Sequence, residues 1–582
     1  MNNSYRTIIS NVLVIGSGAA GLRAAIGAYQ AGVDVLVVGK RLRKDAHTVL
    51  AAGGINAALG NVDPQDSWQQ HFADTLQEAY YLSNPDMVEI MAREAPAAVL
   101  ELAEWGCKFA LTEDGKLDQR FFGAHTYRRT CYAGDFTGRE IMFTLDRKTS
   151  ELTIPVLEHQ YISRLLVDNG VCFGALGFDI NSGERTAYLA DAVILATGGH
   201  TRLWRRSSSR RDENTGDGMY LAMLADVELA DMELVQFHPT GMVSPEEWAG
   251  TLVTEAVRGE GGILLNREGE RFMRRYDPQR MELSTRDRVA LAVYTEIIEG
   301  RGTPNGGVYL DISQRSKNYI LQKLPRMYRQ FLEAQMLDIS LHPMEVAPTS
   351  HYSMGGVIVE AETTATSIRG LFAAGEVTAG LHGANRLGGN SLAETVVFGR
   401  RAGESAAMYS KSLSSQIRSQ KAIQAAQEDL DSITHEGNEL TRPLQRALRN
   451  AMWENCGVVR SHERMIQCLE KIAELKSMGK EVDVRPSSEG YKDLAIALDL
   501  RASLHVAEAT VRSAIERRES RGAHQRYDYP KLNPDLRVNF ITTMDPDGEL
   551  QIRSNPVAGV APELRDWLKE GEELPLEGRL LE

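Results

Sequence analysis

The first regular pattern of apolar positions lies near the N-terminus. Residues 11–15 (NVLVI) are a short apolar run, residues 22–31 have the composition of a buried helix, and residues 33–38 are a second apolar run. Short apolar runs beside glycines are typical of buried strands, and Gly32 is the kind of residue that ends a helix. The pattern therefore predicts a strand–helix–strand unit over residues 11–38.

A glycine-rich turn, GSGAAG, joins the first predicted strand to the helix. In this order Gly16 makes the tight turn, Gly18 lets the backbone approach a pyrophosphate at the helix N-terminus, and Gly21 lets the helix pack against the strand. A purely structural glycine turn is the alternative. The second strand ends in Gly39 and Lys40, where an NAD site usually has an acidic residue. This weakens NAD as the ligand and leaves FAD.

Two later segments end in small residues in the same way. Residues 191–199 (DAVILATGG) and 370–376 (GLFAAGE) both read as buried strands. Flavoprotein folds contain such strands, because the chain leaves the dinucleotide-binding domain and later returns to it. Each segment alone could equally be a core strand with a tight turn. Together with the N-terminal unit they favour FAD.

His47 follows the predicted strand–helix–strand unit and precedes Gly53 and Gly54. A flavin ring is expected at this place if the unit holds FAD. An imidazole there can bond covalently to the flavin, and the bond would raise the reduction potential because it withdraws electron density. A flavin of high potential can accept hydride from an unactivated C–C bond.

The pattern becomes helical and polar towards the C-terminus. Residues 420–475 are rich in Glu, Lys, Gln and Ala, a break lies near residues 482–490, and a helical pattern resumes over residues 494–518. We expect a helical domain here. Residues 533–582 are acidic, contain prolines and have short strand-like pieces.

Composition limits the class of protein. The chain has 582 residues, 43% of them hydrophobic, and a formal net charge of −14. This length predicts several domains, and the negative charge argues against nucleic acid as a main partner. No apolar run approaches the ~20 residues that span a bilayer, and the N-terminus lacks a signal-peptide core. We expect a cytoplasmic protein, or one bound to the cytoplasmic side of a membrane only through partner subunits.

The five cysteines are scattered along the chain without CxxC spacing. Iron–sulfur clusters need grouped thiolates, and a disulfide framework needs paired ones. We therefore expect inert core cysteines and no metal site. Any iron–sulfur relay would belong to another chain.

Polar motifs cluster between the second and third strand segments. QFHPTG at residues 236–241 predicts a histidine in a turn, and TEAVRGEGG (254–262), TRDR (285–288), SHYSMGG (350–356) and HGANRLGGNSL (382–392) follow. Their glycines allow close approach of the backbone to a ligand. Their His, Arg and Thr residues suit a dianionic substrate, since Arg binds carboxylates bidentately. Each residue alone also has a structural explanation. The residues by themselves therefore do not decide whether the chain has a dicarboxylate site.

Several ordered motifs resemble those of the flavoprotein subunit of succinate dehydrogenase and fumarate reductase, with L-aspartate oxidase a close relative. The resemblance runs from about Val12 to Pro530 and is carried by HTVLAAGGINAAL, TGDGM, QFHPTGM, VTEAVRGEGG, TRD, SHYSMGG, GLFAAGE, HGANRLGGNSL and ESRGAHQRYDYP. It implies an α/β fold: a Rossmann-like FAD-binding domain with an inserted, mobile α+β capping domain, then a helical domain and a C-terminal tail. The expected domains are residues 1–235 with 346–412 (FAD-binding), 236–345 (capping), 413–530 (helical) and 531–582 (C-terminal).

The resemblance also implies a role for each matching residue. His47 would attach FAD covalently. The other expected FAD contacts are Gly16, Ser17, Gly18, Ala19, Ala20, Gly21, Gly39, Lys40, Thr48, Gly53, Gly54, Thr197, Gly198, Asp217, Glu376, Asn390, Ser391 and Leu392. The expected substrate contacts are His238, Thr254, His351, Arg386 and Phe122. Arg286 would donate or accept the proton, with Glu255 and Arg258 as its relay to solvent.

The implied reaction is hydride transfer between a substrate carbon and flavin N5, with proton transfer at the adjacent carbon. Succinate or fumarate is the expected substrate, and the expected partner is an iron–sulfur subunit, through which the chain would reach a membrane anchor. Phe122 takes the place of the glutamate that meets the substrate ammonium group in aspartate oxidases, so aspartate fits less well. L-aspartate oxidase, aspartate–fumarate oxidoreductase and a non-catalytic FAD-binding assembly protein are the alternatives.

Some positions leave further questions open. Ala52 stands where succinate dehydrogenases usually have Gln and fumarate reductases Glu, so the preferred direction is open. His125 has no counterpart in the family, and the tail after Pro530 departs from the common pattern. The quinone, the partner and the oligomeric state are also open.

Overall fold

A computed structural model describes residues 5–416, 418–485 and 490–568. Within these ranges the chain forms twenty strands: β1 (Arg6–Ile15), β2 (Val35–Val38), β3 (Ile55–Asn56), β4 (Gln119–Arg120), β5 (Thr130–Cys131), β6 (Val156–Leu157), β7 (Gln160–Asp168), β8 (Val171–Asp179), β9 (Arg185–Leu195), β10 (Leu229–Ala230), β11 (Val235–Met242), β12 (Ile263–Leu265), β13 (Val308–Asp311), β14 (Met344–Ser353), β15 (Gly356–Val357), β16 (Leu371–Ala373), β17 (Val459–Arg460), β18 (Gln525–Arg526), β19 (Val538–Met544) and β20 (Leu550–Pro556). The same ranges contain sixteen α-helices: α1 (Ala19–Gln30), α2 (Trp68–Glu78), α3 (Pro85–Glu104), α4 (Thr137–Glu151), α5 (Asp217–Leu224), α6 (Ala256–Gly259), α7 (Met273–Tyr276), α8 (Arg286–Glu296), α9 (Lys317–Lys323), α10 (Pro325–Gln335), α11 (Asn390–Ser412), α12 (Gln420–Ile433), α13 (Thr441–Asn455), α14 (His462–Gly479), α15 (Lys492–Glu516) and α16 (Pro562–Arg565).

The central sheet has the strand order β6-β2-β1-β9-β8-β7, and β16 also pairs with β9. The predicted strand–helix–strand unit is confirmed as β1, α1 and β2, with β1 parallel to β2. β1 is also parallel to β9, while β8 pairs antiparallel with β9 and β7. Buried apolar strands of this kind need cover on both faces, which the helices supply.

The two later strand segments lie side by side in this same sheet. Leu371 of β16 is paired with Val193 of β9, and the strands are parallel. The chain therefore leaves the central sheet after β9 and returns to it at β16, as we expected for a flavoprotein fold.

A second sheet of order β11-β14-β13-β12 lies in the excursion between these strands. It is antiparallel, and its side chains form a separate hydrophobic core with those of the helices α6 to α10, from Met242 to Val346. The predicted α/β class with an inserted α+β unit is thus confirmed. The exact domain boundaries stay a prediction, and β14 runs across the one proposed between residues 345 and 346.

Helices α12 to α15 follow the central body, in agreement with the helical pattern of the sequence. Helices α13, α14 and α15 pack on one another, and α15 also contacts α5 of the central body. The predicted C-terminal tail contains a hairpin, β19–β20, whose strand β19 pairs with β10. Residues 486–489 of the predicted break and residues 569–582 of the predicted tail lie outside the described residues.

Helices α1 and α11 pack very closely, and glycines make this possible. A Cβ atom at Gly27 would lie 2.9 Å from the carbonyl oxygen of Arg400, and one at Gly403 would lie only 2.0 Å from the carbonyl oxygen of Ala24. A larger side chain would push the helices apart. The close packing sets the N-terminal ends of both helices at one cavity.

Within the described ranges, the helices lack the combination of length and apolar composition that a bilayer crossing requires.

Candidate active site

One cavity collects most of the residues that the sequence singled out. The expected FAD contacts that line it are Gly16, Ser17, Gly18, Ala19, Ala20, Lys40, His47, Thr48, Gly53, Gly54, Thr197, Gly198, Asp217, Glu376, Ser391 and Leu392. The expected substrate and proton-transfer residues that line it are Phe122, His238, Thr254, Glu255, Arg286, His351 and Arg386. The structure therefore brings both groups to one site, although they are spread over 377 positions from Gly16 to Leu392.

Four of the expected residues do not line this cavity. Gly21 lies against the backbone of Gly16, and Gly39 packs on the side chain of Ser17. The carboxamide of Asn390 accepts a hydrogen bond from Asn56 Nδ2 at 2.7 Å and lies 2.8 Å from a ring nitrogen of His71. Its side chain thus holds the start of α11 rather than facing the cavity. The fourth, Arg258, lies behind Glu255.

The start of α1 is shaped to receive a phosphate group. Gly16 has φ +118°, which favours glycine, and a Cβ at Gly18 would find its nearest neighbour only at 3.6 Å. No side chain caps this helix, although Thr48 Oγ1 accepts a hydrogen bond from Ala19 N at 3.3 Å. Nearby, the buried hydroxyl of Thr197 has no hydrogen-bond partner among the described residues. Open backbone donors at a helix N-terminus and an unpaired hydroxyl fit a bound dinucleotide.

Lys40 takes the position where NAD sites have an acidic residue. Its Nζ lies 2.8 Å from Asp217 Oδ2 and 3.0 Å from Asp499 Oδ1. Burial opposes the charge, but these two carboxylates outweigh it and raise the pKa of Lys40. Asp499 comes from α15, so the helical region contributes to this end of the cavity.

His47 is held by a carboxylate that the sequence analysis missed. Its Nδ1 lies 3.1 Å from Glu213 Oε2, and both residues line the cavity. Arg210 donates to the same carboxylate through its backbone N at 3.0 Å and through Nη1 at 2.9 Å. Glu213 could have been noticed only from its position beside the TGDGM motif.

Two buried arginines share one neutral acceptor. Gln236 Oε1 accepts a hydrogen bond from Arg286 Nη1 at 3.1 Å and another from Arg386 Nη2 at 3.1 Å. The Gln236 amide in turn donates to Asn385 Oδ1 at 2.8 Å, which fixes its orientation. Gln236 belongs to the QFHPTG motif, but no role was predicted for it. Its place two positions before His238 in that motif was the available signal.

Arg286 also has an ionised partner. Its Nε donates to Glu255 Oε2 at 2.8 Å, while Arg258 Nη2 lies 3.8 Å from the same oxygen. Glu255 Oε1 accepts a hydrogen bond from Gly123 N at 3.1 Å. Burial disfavours the Glu255 carboxylate, but Arg286 and Arg258 outweigh this effect and bring its pKa to about 2. Glu255 is therefore ionised at neutral pH and links the two guanidinium groups.

His238 and His351 face each other across the cavity, with ring centroids 5.2 Å apart. The predicted turn at His238 is wrong, because His238 lies within β11. The Pro239–Gly241 segment is accommodated instead by an irregular register between β11 and β14. Burial, reinforced by the nearby arginines, holds the pKa of His238 well below its usual value, and burial also lowers that of His351.

The Nδ1 atoms of these two histidines are already engaged. His238 Nδ1 lies 3.2 Å from both the backbone N and the backbone O of Thr240, and His351 Nδ1 lies 2.9 Å from Ser208 Oγ. These neighbours can accept or donate, so they hold the Nδ1 side of each ring without fixing its tautomer. Thr254, buried beside them, accepts the backbone N–H of Ala256 at 3.3 Å and keeps its own hydroxyl proton for a ligand.

The structure shows what His125 and Ala52, the two positions that depart from the family pattern, contact. A ring nitrogen of His125 lies 3.0 Å from the carbonyl oxygen of Gly388, so His125 supports the loop that carries Arg386. Ala52 is buried and lines the cavity, and Arg120 donates to its carbonyl oxygen at 3.4 Å. Phe122 is also buried and packs beside Gly53.

Comparison with known protein families agrees with this geometry. Residues 11–392 match the family model of an FAD binding domain, and residues 445–564 match the model of the fumarate reductase flavoprotein C-terminus. The cofactor is therefore FAD.

Individual relatives resemble the chain over nearly its whole length. One of them, from the fumarate reductase (CoM/CoB) of Methanothermobacter marburgensis, is 46% identical over 91% of this chain and 96% of its own length. The succinate dehydrogenase flavoprotein subunit of Rickettsia bellii is 37% identical over 96% of this chain and 97% of its own. The solved structure of Mycobacterium smegmatis Sdh1 in complex with UQ1 superposes with a TM-score of 0.87, at 40% identity over 98% of this chain and 100% of that one.

Proposed function

The chain belongs to the family of succinate dehydrogenase and fumarate reductase flavoprotein subunits, and from this we propose that it interconverts succinate and fumarate with FAD as cofactor. One observation carries the proposal. Arg286 and Arg386 are both buried in the cavity and share the neutral amide of Gln236, yet only Arg286 has a carboxylate partner, Glu255. This excess of positive charge suits a small dianion.

We assign the binding of the two substrate carboxylates to Arg386, His238, His351 and Thr254. A guanidinium forms charge-assisted hydrogen bonds with carboxylates, and a neutral histidine or a hydroxyl adds a directional donor. Holding both ends of a four-carbon diacid fixes the central C–C bond, and such positioning can contribute several kcal/mol to catalysis, within the roughly 7–11 kcal/mol reached by well-oriented reactants.

We assign proton transfer at the substrate carbon to Arg286. A guanidinium seldom loses its proton, but Glu255 is ionised and only 2.8 Å away, so it can replace a proton that Arg286 gives up. Arg258 lies on the other side of Glu255 and would continue the path towards solvent. When bound, FAD supplies the hydride acceptor or donor.

The same family membership leads us to propose how FAD is held. The N-terminus of α1 would bind the pyrophosphate, and Thr48, Asp217, Glu376 and Ser391 would contact the cofactor from the cavity wall. We further propose that His47 binds the flavin covalently through Nε2, because Nδ1 is already held by Glu213. The bond would raise the flavin potential by withdrawing electron density.

Electrons must leave or reach the flavin through a partner. All five cysteines are buried and unpaired, and within the described ranges the acidic, His and Cys side chains form no cluster suited to a metal ion. We propose that the partner is an iron–sulfur subunit, in line with the names of the relatives, which describe them as subunits. This subunit would connect the chain to electron transport at the cytoplasmic side of a membrane, and thus to the tricarboxylic acid cycle or its reverse.

Co-purification followed by assay tests this proposal. The chain is purified from its own cells, the purified sample is analysed for iron, labile sulfide and co-purifying proteins, and succinate oxidation and fumarate reduction are assayed with artificial dyes. We expect turnover with the C₄ diacids and competitive inhibition by malonate. Oxygen consumption with aspartate but not succinate would instead identify an aspartate oxidase. FAD binding without malonate binding would identify an assembly protein.

A further inference from the structure

We propose that Glu213 is a positioning residue for covalent flavin attachment: it holds the Nδ1 proton of His47 and so leaves the Nε2 lone pair for the flavin. The inference deepens the proposed function, since it rests on His47 being the attachment site. It assigns a role to a residue outside the motifs that define the family resemblance.

The geometry of the pair is that of a carboxylate orienting an imidazole. Glu213 Oε2 lies 3.1 Å from His47 Nδ1. A carboxylate is only an acceptor when ionised, so the nitrogen facing it must carry the proton. In a neutral ring the other nitrogen, Nε2, then holds the lone pair. Carboxylates fix histidine tautomers in this way in catalytic and metal sites.

Glu213 is itself fixed in position. Its side chain is 4% exposed, and Arg210 binds it through the backbone N and through Nη1. Arg210 Nη1 also donates to the carbonyl oxygen of Asp45, two residues before His47. The segment that carries the carboxylate and the segment that carries the imidazole are therefore clamped together.

The other two cavity histidines have no such partner among the described residues. His238 Nδ1 faces both the N–H and the carbonyl oxygen of Thr240, and His351 Nδ1 faces a serine hydroxyl. Both rings lie beside arginines that disfavour a positive ring. Of the three histidines, only His47 has a carboxylate at Nδ1, which holds the ring proton there and leaves Nε2 as an electron-pair donor.

Charged groups from every side act on His47. Glu213 and Glu376 favour its protonated form, and Arg210 opposes it. Arg41 Nε lies 3.6 Å from Glu213, and a positive charge on His47 contributes to lowering the pKa of His351. Burial lowers the pKa of His47, but the hydrogen bond to Glu213 and the charges of Glu213 and Glu376 together outweigh burial, and the net shift is upward. Below the raised pKa the ring has no lone pair, and above it the Nε2 lone pair is available.

The attachment step balances without an external oxidant. One C–H bond of the flavin 8α-methyl group breaks, and a bond forms between that carbon and His47 Nε2. The two electrons reduce the flavin ring itself. One proton comes from the methyl group and one from the imidazole, and these go to the reduced ring or to solvent. Fumarate then reoxidises the ring and becomes succinate.

The test measures bond formation apart from turnover. The full chain is expressed in riboflavin-starved cells and given FAD, and covalent flavin is read as fluorescence of the denatured band on a gel, over a range of pH. We expect the wild-type rate to rise with pH through the His47 pKa. Glu213→Gln should still bind FAD but attach it about 10²-fold more slowly, the lower end of typical proton-handling effects.

Three further measurements complete the design. Glu213→Asp should restore much of the rate, and His47→Ala should bind FAD without any bond. Selective ¹⁵N-histidine NMR of the wild-type chain should find His47 protonated at Nδ1 and bare at Nε2, which needs no variant to fold.

The proposal is overturned by wild-type attachment rates in Glu213→Gln, by a ring protonated at Nε2 only, or by a wild-type chain that forms no bond. A wild-type chain that turns over C₄ diacids without forming the bond would overturn this inference alone, and a wild-type chain that forms the bond without C₄-diacid turnover would overturn only the proposed function.

Discussion

Two buried arginine clusters in this protein have opposite charge balance. In the C-terminal cluster, Arg517 Nε lies 2.6 Å from Glu233, and its Nη atoms lie 3.2 Å from Asp231 and 3.2 Å from Glu519. In the substrate cluster, formed by Arg286, Arg386, Arg258, Glu255 and Gln236, Arg386 has no carboxylate within 4.0 Å among the described residues, and its buried Nε has no partner. In the first cluster the carboxylates outnumber the arginines, and in the second the arginines outnumber the carboxylates.

The shifts of pKa express this difference. Burial and the neighbouring Arg286 lower the pKa of Arg386 to about 9. Burial acts on Arg517 too, but Glu233, Asp231 and Glu519 outweigh it and raise its pKa. A buried charge costs free energy unless it is paired. The unpaired arginine is therefore the one that awaits a ligand, and the fully paired one holds the fold together.

Replacing Arg286 should have the largest effect on activity. In Arg286→Ala the proton donor is lost, and we expect turnover of succinate and fumarate to fall about 10²–10⁴-fold. FAD content should not change, because the residues at the dinucleotide end of the cavity are untouched. Steady-state kinetics and the flavin absorbance of the purified variant measure both quantities.

Arg288→Ala is the matched control for that variant. It lies on the same helix, α8, with its side chain 40% exposed and 3.9 Å from Asp277. Turnover should stay close to wild type, since exposed ion pairs contribute at most about 1 kcal/mol. Equal losses in the two variants would show that α8 is merely structural.

Replacing Arg517 should act on stability instead. Arg517→Ala removes the ion-pair partner of the buried Glu233 and Asp231, while Glu519 keeps its pair with Arg521, and breaking such buried pairs costs about 3–5 kcal/mol of folding free energy. We expect a lower apparent Tm and a lower yield of folded protein, with an unchanged KM in the fraction that folds. Thermal denaturation measures this, and Arg553→Ala, which breaks an exposed pair with Glu228, should shift Tm far less. A changed KM without loss of stability would contradict the comparison.

The sequence was sufficient for those parts of the fold that depend on local pattern. The glycine turn at Gly16–Gly21 and the strands β1, β9 and β16 follow from short apolar runs with fixed neighbours, and they were predicted. The strand at His238 was not, because Pro239 and Gly241 suggest a turn locally, while pairing with β14 at an irregular register decides the structure. Tertiary pairing overrode the local signal.

Contacts between residues far apart in the chain could also not be predicted from the sequence. Glu213 meets His47 across 166 positions, and Gln236 meets Arg386 across 150. Neither residue has a type that marks it, since buried Glu and Gln usually serve structure. Their roles follow from which atoms the fold sets beside them. The arginines and histidines were predictable because their residue types and motifs already indicated anion binding.

Gln236→Glu should bring the charge balance of the substrate cluster closer to that of the C-terminal one, and we expect the smallest of the three effects. The new carboxylate would keep the shape of Gln236 and pair with Arg286 and Arg386, so the net charge of the cluster would fall from +2 to +1. Fumarate would then meet an anion in its site, and its KM should rise about 10-fold, which corresponds to about 1.4 kcal/mol. Thermal stability should be kept or increased, because two buried arginines gain a partner.

Gln236→Met, which removes the acceptor without adding charge, should raise KM less than Gln236→Glu. An unchanged KM in Gln236→Glu would mean that the unpaired charge of the arginines does not bind the diacid, and that the two clusters differ for a reason other than function.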